Sequence, residues 1–189
     1  ELGTWGHVTT LSSETTIAEA VALPTAEVLS YGEDATGRLF FYIMGWRDGS
    51  AGHNGSGGGI SDYPASLTMS QAGLNATKGC EMSQLDPEDP RCAKITFSGR
   101  MTHVINHTGV AHGKASLFAK HPQMASWPVG HNFQVWELVL SEIWMIDFYG
   151  GGSNIDPTDF HAAKPKHNVP KWPPNAERPG AGMTLRDSA

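Results

Sequence analysis

Histidine is the most chemically suggestive residue type in this chain, which contains nine of them. His103, His107 and His112 lie four and five residues apart, across a predicted strand end, a loop and the start of a helix. The sequence contains neither an HExxH motif nor a histidine at ligand spacing from a carboxylate on one predicted helix. The histidine pattern therefore predicts no metal site.

Motifs for covalent catalysis and for phosphate binding are missing from the sequence as well. The chain has no GxSxG nucleophile motif. Its glycine-rich stretch, residues 48–62, leads into Tyr63-Pro64 and a predicted strand, so no helix N-terminus follows that could hold a phosphate. We expect this stretch to be a surface loop, and we predict no catalytic residue.

One segment, residues 119–133, is denser in functional residue types than packing requires. It contains two X-Pro steps together with His121, Trp127 and His131. These residues fit a rigid helix-to-strand connection with a buried tryptophan, and they equally fit one wall of a ligand pocket. Both interpretations stay open at the level of the sequence.

The two cysteines, Cys80 and Cys92, enclose a polar, proline-punctuated stretch of eleven residues. A disulfide closing a loop of this length would stabilise the fold by roughly 3 kcal/mol in the chain-entropy model. Two free thiols are the alternative, whereas a zinc site is disfavoured because neither cysteine has a CxxC or CxxH partner. We predict the disulfide.

Three Asn-x-Ser/Thr sequons point in the same direction as the cysteines. All three lie in loops rich in glycine, serine or histidine, where a glycan has room. We expect a secreted or endolysosomal glycoprotein whose signal peptide has been removed, rather than a cytosolic protein with chance matches. The sequons are Asn54-Gly55-Ser56, Asn75-Ala76-Thr77 and Asn106-His107-Thr108.

Composition sets the outer limits of the fold and of the partners. The chain has 189 residues, which is the size of one domain, and its 22 glycines and 12 prolines favour strands and turns over a helical bundle. A net charge of −6 argues against a nucleic-acid partner. No run of 18 apolar residues exists, so we expect no insertion into a membrane.

Alternation of apolar and polar residues predicts a mainly β fold with short helices, arranged as a small barrel or sandwich. The best helix candidate is 110–120, and a shorter one is 15–21. After about residue 164 the chain becomes proline-rich, so we expect a β domain over 1–163 and an extended or disordered tail over 164–189. Strands are predicted at 7–11, 27–31, 38–44, 65–71, 93–105, 133–140 and 143–149, the last two joined by a tight Ser141-Glu142 link.

Several of these segments together resemble the CREG family of secreted or lysosomal glycoproteins, named as cellular repressors of viral early-gene-stimulated transcription. The resemblance covers roughly residues 4–162, and its C-terminal part is the more specific. The proline-rich tail departs from the family pattern. The matching segments are Trp5-Gly6, 27–30, Tyr63-Pro64, 66–69, the Cys80–Cys92 stretch with Ser98-Gly99, 116–124, Trp127-Pro128, His131-Asn132, Ile143-Trp144 and 147–151.

The resemblance implies a split β-barrel of the FMN-binding, pyridoxamine-phosphate-oxidase-like type, a fold that is usually a homodimer with pockets at the interface. It also implies a non-catalytic protein that acts through a cell-surface or sorting receptor. The surplus of large aromatic residues beyond the needs of one small barrel supports the expectation of a homodimer.

Binding of a flavin would require basic residues for its phosphate. Flavin oxidases of this fold hold the FMN phosphate with basic residues on the first hairpin strand, where this chain has Glu27 and no base. Arg47, after the partner strand, is a single candidate. Haem ligation through His121 or His131 is a further alternative. We therefore expect no bound cofactor, with an FMN- or haem-dependent oxidoreductase as the alternative function, and the pocket candidates are Arg47, His121, Trp127 and His131.

Overall fold

Antiparallel strands dominate the computed structural model, which describes residues 5–11, 24–44, 62–73, 80 and 86–164. Two helices, α1 and α2, accompany seven strands within these ranges, and three short 3-10 helices lie between them. The elements are β1 (Trp5–Leu11), β2 (Pro24–Glu33), β3 (Leu39–Met44), β4 (Tyr63–Ser70), β5 (Lys94–His103), α1 (His107–Lys120), β6 (Phe133–Ile146), β7 (Ser153–Ile155) and α2 (Pro157–Ala162).

The strands form one sheet in the order β3-β2-β1-β4-β5-β6-β7, and an additional pairing of β3 with β6 closes it. The result is a six-strand antiparallel split barrel with β7 appended to β6, so the predicted fold class is confirmed. No helix in the described ranges is long and apolar enough to cross a membrane. The predicted helix at 15–21 and all but the first residue of the predicted tail lie outside the described residues.

The structure corrects the prediction of two strands at 133–140 and 143–149. A single strand, β6, runs through the first and continues into the second as far as Ile146, and the expected turn at Ser141-Glu142 is a β-bulge. Ser98 pairs with Glu142 and Gly99 pairs with Leu140, so Ser141 is the extra residue. A bulge bends a strand without ending it, which lets one long strand serve both the barrel seam and β7.

The alternation predicted for β5 holds along the whole strand, which ends at His103. Beyond it the register changes. Val104 is buried against a different set of side chains, whereas Ile105, the last residue of the predicted strand, is 76% exposed. The helix predicted at 110–120 is confirmed as α1 and begins three residues earlier, at His107.

Two apolar clusters stabilise the barrel. The interior cluster comes from the inward faces of the strands and includes Phe41, Leu67, Phe97 and Trp136. Phe160 of α2 packs against this cluster, and its ring lies 5.3 Å from that of Phe97. Burial of each large side chain contributes about 1.5–3 kcal/mol, so this cluster is the main source of stability.

The second cluster lies outside the barrel and fixes α1 against β2, β3 and β6. Its centre is formed by Phe40, Leu117 and Val135, all of them buried. Two glycines allow α1 to lie close to the strands of the barrel. A Cβ on Gly32 would lie 2.7 Å from the backbone of Leu117, and one on Gly113 would lie 2.5 Å from Val135 Cγ1.

The turn between β2 and β3 is organised by one carboxylate, Asp34. Its Oδ1 accepts hydrogen bonds from the backbone N–H groups of Thr36 (2.8 Å) and Arg38 (3.1 Å). Its Oδ2 lies 2.9 Å from Nε2 of His112 on α1. From α2, Nδ1 of His161 donates to the Thr36 carbonyl at 2.8 Å. Both helices are therefore tied to the same turn.

The Asp34 contacts make the stability of the fold depend on pH. Burial alone would raise the pKa of this carboxyl, but the hydrogen bonds from His112, Thr36 and Arg38 outweigh it and lower the pKa to about 2. The folded pKa is below the ordinary value of 3.8, so the carboxylate stabilises the fold above about pH 4. This contribution is lost as the pH falls from about 4 to about 2.

We therefore expect Asp34→Asn to lower the free energy of unfolding at neutral pH and to make it less sensitive to acid between about pH 4 and pH 2. Urea unfolding followed by circular dichroism at several pH values measures both effects. Glu142→Gln, at an exposed position on β6, is the control. Equal acid sensitivity of Asp34→Asn and the unsubstituted protein would contradict the assignment.

Candidate functional site

The C-terminal end of α1 is anchored to β2 by the side chains of Lys120 and His121. Lys120 Nζ donates to Glu33 Oε2 at 2.5 Å and lies 4.0 Å from the centre of the Tyr31 ring. The backbone N–H of His121 donates to the Leu117 carbonyl, and its Nε2 donates to the Tyr31 carbonyl at 3.0 Å. His121 is only 5% exposed, so its ring serves as a buried tether between helix and barrel.

After this anchor the chain crosses the outside of the barrel and builds a set of stacked rings, here called the aromatic array. It consists of Phe118, Tyr42, Trp127, Phe133 and His131. Tyr42 is central, stacked 5.9 Å from Trp127 and 5.2 Å from Phe133. Trp127 and Phe133 are 4.6 Å apart, Phe118 meets Tyr42 edge-on, and His131 stacks on Phe133 at 6.0 Å.

Short 3-10 helices position the array. Pro122–Ser126 turns the chain after His121 and buries Met124 under the second cluster. Val129–His131 then ends at Asn132, which has left-handed backbone angles (φ 49°), and β6 begins with Phe133. This path places Trp127 and Phe133 on the same side of Tyr42.

The array is half-buried and borders exposed apolar residues. Val129 is 97% exposed, and Met44, the register partner of Phe133 on β3, is 41% exposed. A cation lies at the edge, because Lys114 Nζ is 5.7 Å from the centre of the Tyr42 ring. The surface therefore combines half-buried aromatic rings, exposed apolar residues beside them and one positive charge.

The predicted pocket residues do not converge on one pocket. Trp127 and His131 both belong to the array through Phe133, whereas His121 is turned inward to Tyr31. Arg47 lies outside the described residues. His121 fits the interpretation of residues 119–133 as a rigid helix-to-strand connection. Trp127 and His131 belong to the aromatic array instead.

Tyr42, Phe118 and Lys114 were missed at the sequence level. Tyr42 follows two other aromatic residues, Phe40 and Phe41, so apolarity alone cannot show which faces outward. The spacing of four residues between Lys114 and Phe118 on one helix was the available signal, because such residues share a helix face.

The remaining predicted site residues divide between described and undescribed parts of the chain. Cys80 and Cys92 form a disulfide with their Cα atoms 5.0 Å apart. Asn54 and Asn75 lie outside the described residues, whereas Asn106 is exposed at the start of α1. Among the residues that the structure describes, no three His, Cys, Asp or Glu side chains are grouped to hold a metal ion.

Asn106 has a structural role that is independent of any glycan. Its Oδ1 accepts a 2.7 Å hydrogen bond from the backbone N–H of Gly109 and so caps α1. An N-linked glycan would be attached to the other side-chain atom, Nδ2, so the capping bond and a sugar are compatible.

We expect Asn106→Gln, the usual substitution for removing a sequon, to cost about 1 kcal/mol of stability in protein made without glycans, because the longer side chain loses the cap. Asn106→Asp and Thr108→Ala both remove the sequon and keep an acceptor at the cap position. Thermal unfolding of the three variants separates the roles. A loss of the same size in all three would contradict the capping assignment.

The sequence of this chain is similar to those of known proteins over most of its length. The CREG beta-barrel family model matches residues 1–162. Protein CREG1 of Homo sapiens is 32% identical over 162 residues, which cover 83% of this chain and 67% of that protein. Protein CREG1 of Gallus gallus is 34% identical over 152 residues, covering 72% of this chain and 77% of that protein.

A solved heme binding protein from Mycobacterium smegmatis has the same fold, with a TM-score of 0.59. It is 16% identical, and the match covers 85% of this chain and 56% of the mycobacterial one, so the likeness concerns the fold alone. The match over residues 1–162 includes the barrel, the disulfide and the His121–Asn132 segment. The chain belongs to the CREG family.

Proposed function

We propose that this protein is a secreted or endolysosomal glycoprotein without catalytic activity, which acts by binding a receptor or another protein partner. The observation that carries the proposal is the aromatic array, a set of stacked rings on the outside of the barrel beside the almost fully exposed Val129. The disulfide and the exposed Asn106 sequon support the secretory route.

The chemistry of the array suits a protein partner. Interface centres are enriched in tyrosine, tryptophan, phenylalanine and methionine, and the energetically dominant residues cluster in such patches. Tyr42, Trp127, Phe133 and Met44 provide these residue types on one surface. Lys114 at the edge would favour a partner with an acidic rim.

Saturable binding of fluorescently labelled protein to cultured animal cells, competed by unlabelled protein, tests the proposal. We expect Val129→Asp to weaken this binding about tenfold or more, because a charge is placed in the apolar border of the array. Ile105→Asp is the control, because Ile105 is also an exposed apolar residue (76%) and lies before α1, away from the array. Equal binding of both variants would exclude the array, and absence of saturable binding would overturn the receptor proposal.

The alternative function, an FMN- or haem-dependent oxidoreductase, is favoured by the fold of the mycobacterial heme binding protein. The described residues give it limited support. β2 carries Glu27 and Glu33 and contains no Lys or Arg for an FMN phosphate. His121 uses its Nε2 on the Tyr31 carbonyl, which leaves the exposed His131 as the better placed haem ligand of the two.

We propose further that two copies of the chain form a homodimer. α1 covers the outer faces of β2, β3 and β6, whereas no helix of the described structure packs extensively against β1, β4 or β5. Exposed apolar residues border this uncovered region, and an isologous contact would bury them. They are Trp5, Val28, Val139 and Trp144.

Native mass measurement of protein from a secreting host, before and after glycosidase treatment, tests assembly, glycans and cofactor together. We expect twice the chain mass of 20.3 kDa after the sugars are removed, a larger mass before treatment, and no bound FMN or haem. Val28→Asp should yield monomer. A monomeric parent protein would contradict the dimer, an unchanged mass would contradict glycosylation, and a bound flavin or haem would favour the oxidoreductase.

A further inference from the structure

One end of the barrel is lined by side chains that carry hydrogen-bonding groups. Tyr63 is the first residue of β4, His103 is the last of β5, and Gln134 and Trp136 lie near the start of β6. Trp136 and Leu138 belong to the interior cluster, so Gln134, two residues before Trp136, shares their inward face. We call this end the barrel mouth.

The tryptophan is held firmly in this position. Trp136 is 1% exposed, and its ring centroid is 4.9 Å from that of His103 and 5.6 Å from that of Tyr63. It is also the register partner of His103 on β5 and of Phe41 on β3. The indole therefore has little freedom to turn toward a different partner.

Two buried atoms at the barrel mouth lack a hydrogen-bond partner in the part of the chain that the structure describes. They are Nε1 of Trp136, which is a donor, and Oε1 of Gln134, which is an acceptor. Native proteins satisfy nearly all buried polar atoms, either with protein groups or with ordered water. An occupant that contacts both atoms would have to accept from the indole and donate to the amide oxygen.

The smallest group that does both, with a single oxygen atom, is a neutral hydroxyl. A carboxylate or phosphate accepts but would place negative charge beside Oε1, an ammonium ion donates but cannot accept, and either charge would be costly to bury. We propose that the barrel mouth binds a neutral hydroxyl group, either that of an ordered water molecule or that of a small alcohol in its place.

A crystal structure of the unsubstituted protein, grown without alcohols and at a resolution that shows ordered water, tests the occupant directly. We expect density at hydrogen-bond distance, about 2.7–3.2 Å, from Trp136 Nε1 and from Gln134 Oε1. A second crystal soaked in isopropanol distinguishes the sources, because alcohol density replaces water if the site accepts an alcohol and water remains if it does not. An empty mouth, or a protein side chain on these two atoms, would overturn the proposal.

A measurement in solution gives an independent test. Gln134→Met keeps the length of the side chain and removes the acceptor, so the bound hydroxyl loses a partner. We expect the midpoint of thermal unfolding to fall by about 2–4 °C, while Gln123→Met at an exposed position leaves it unchanged. If Oε1 is instead unsatisfied, the methionine relieves a buried polar atom, and an unchanged or raised midpoint for Gln134→Met would overturn the proposal.

Discussion

The contact on which this structure depends most is the close approach of α1 to the outside of the barrel. It requires two positions without a side chain, Gly32 on the strand and Gly113 on the helix, because a Cβ at either would overlap the opposite element. Leu117, Phe40 and Val135 then pack together between the helix and the strands. The contacts of Lys120 and His121 at the helix end, and the stacked rings that follow, all depend on this spacing.

The turn after β2 adds a second constraint of a different kind. Asp34 joins the turn to α1 through His112, while His161 joins it to α2. Next to it, Arg38 forms a bidentate ion pair with Glu137 across the β3–β6 seam, with Nε to Oε1 at 2.7 Å and Nη2 to Oε2 at 2.5 Å. Because Arg38 is partly exposed, this pair contributes little to stability, and its fork geometry is compatible with the register that the buried faces of β3 and β6 set.

Sequence patterns predicted the barrel better than the site, and the reason is physical. Alternation along β4 and β5 is a local signal, and it follows directly from one buried face. The bulge at Ser141 was mistaken for a turn because small polar residues favour both, and only pairing with Ser98 and Gly99 decides between them. His121 and His131 have similar surroundings in the sequence. In the structure His121 is the C-cap of α1 and is buried, whereas His131 precedes the left-handed Asn132 and is exposed.

Closure of the barrel also has a consequence for how the chain folds. The seam pairs Phe41 with Trp136, residues 95 positions apart in the chain (136 minus 41), and β6 is the partner of both β3 and β5. During synthesis β1 to β5 leave the ribosome before β6, so the edges of β3 and β5 remain unpaired until most of the domain has been made. Such edges are templates for wrong pairing, and contacts of high sequence separation form slowly. The period before β6 emerges is therefore when the chain is most exposed to aggregation, and when a chaperone would be of most use to it.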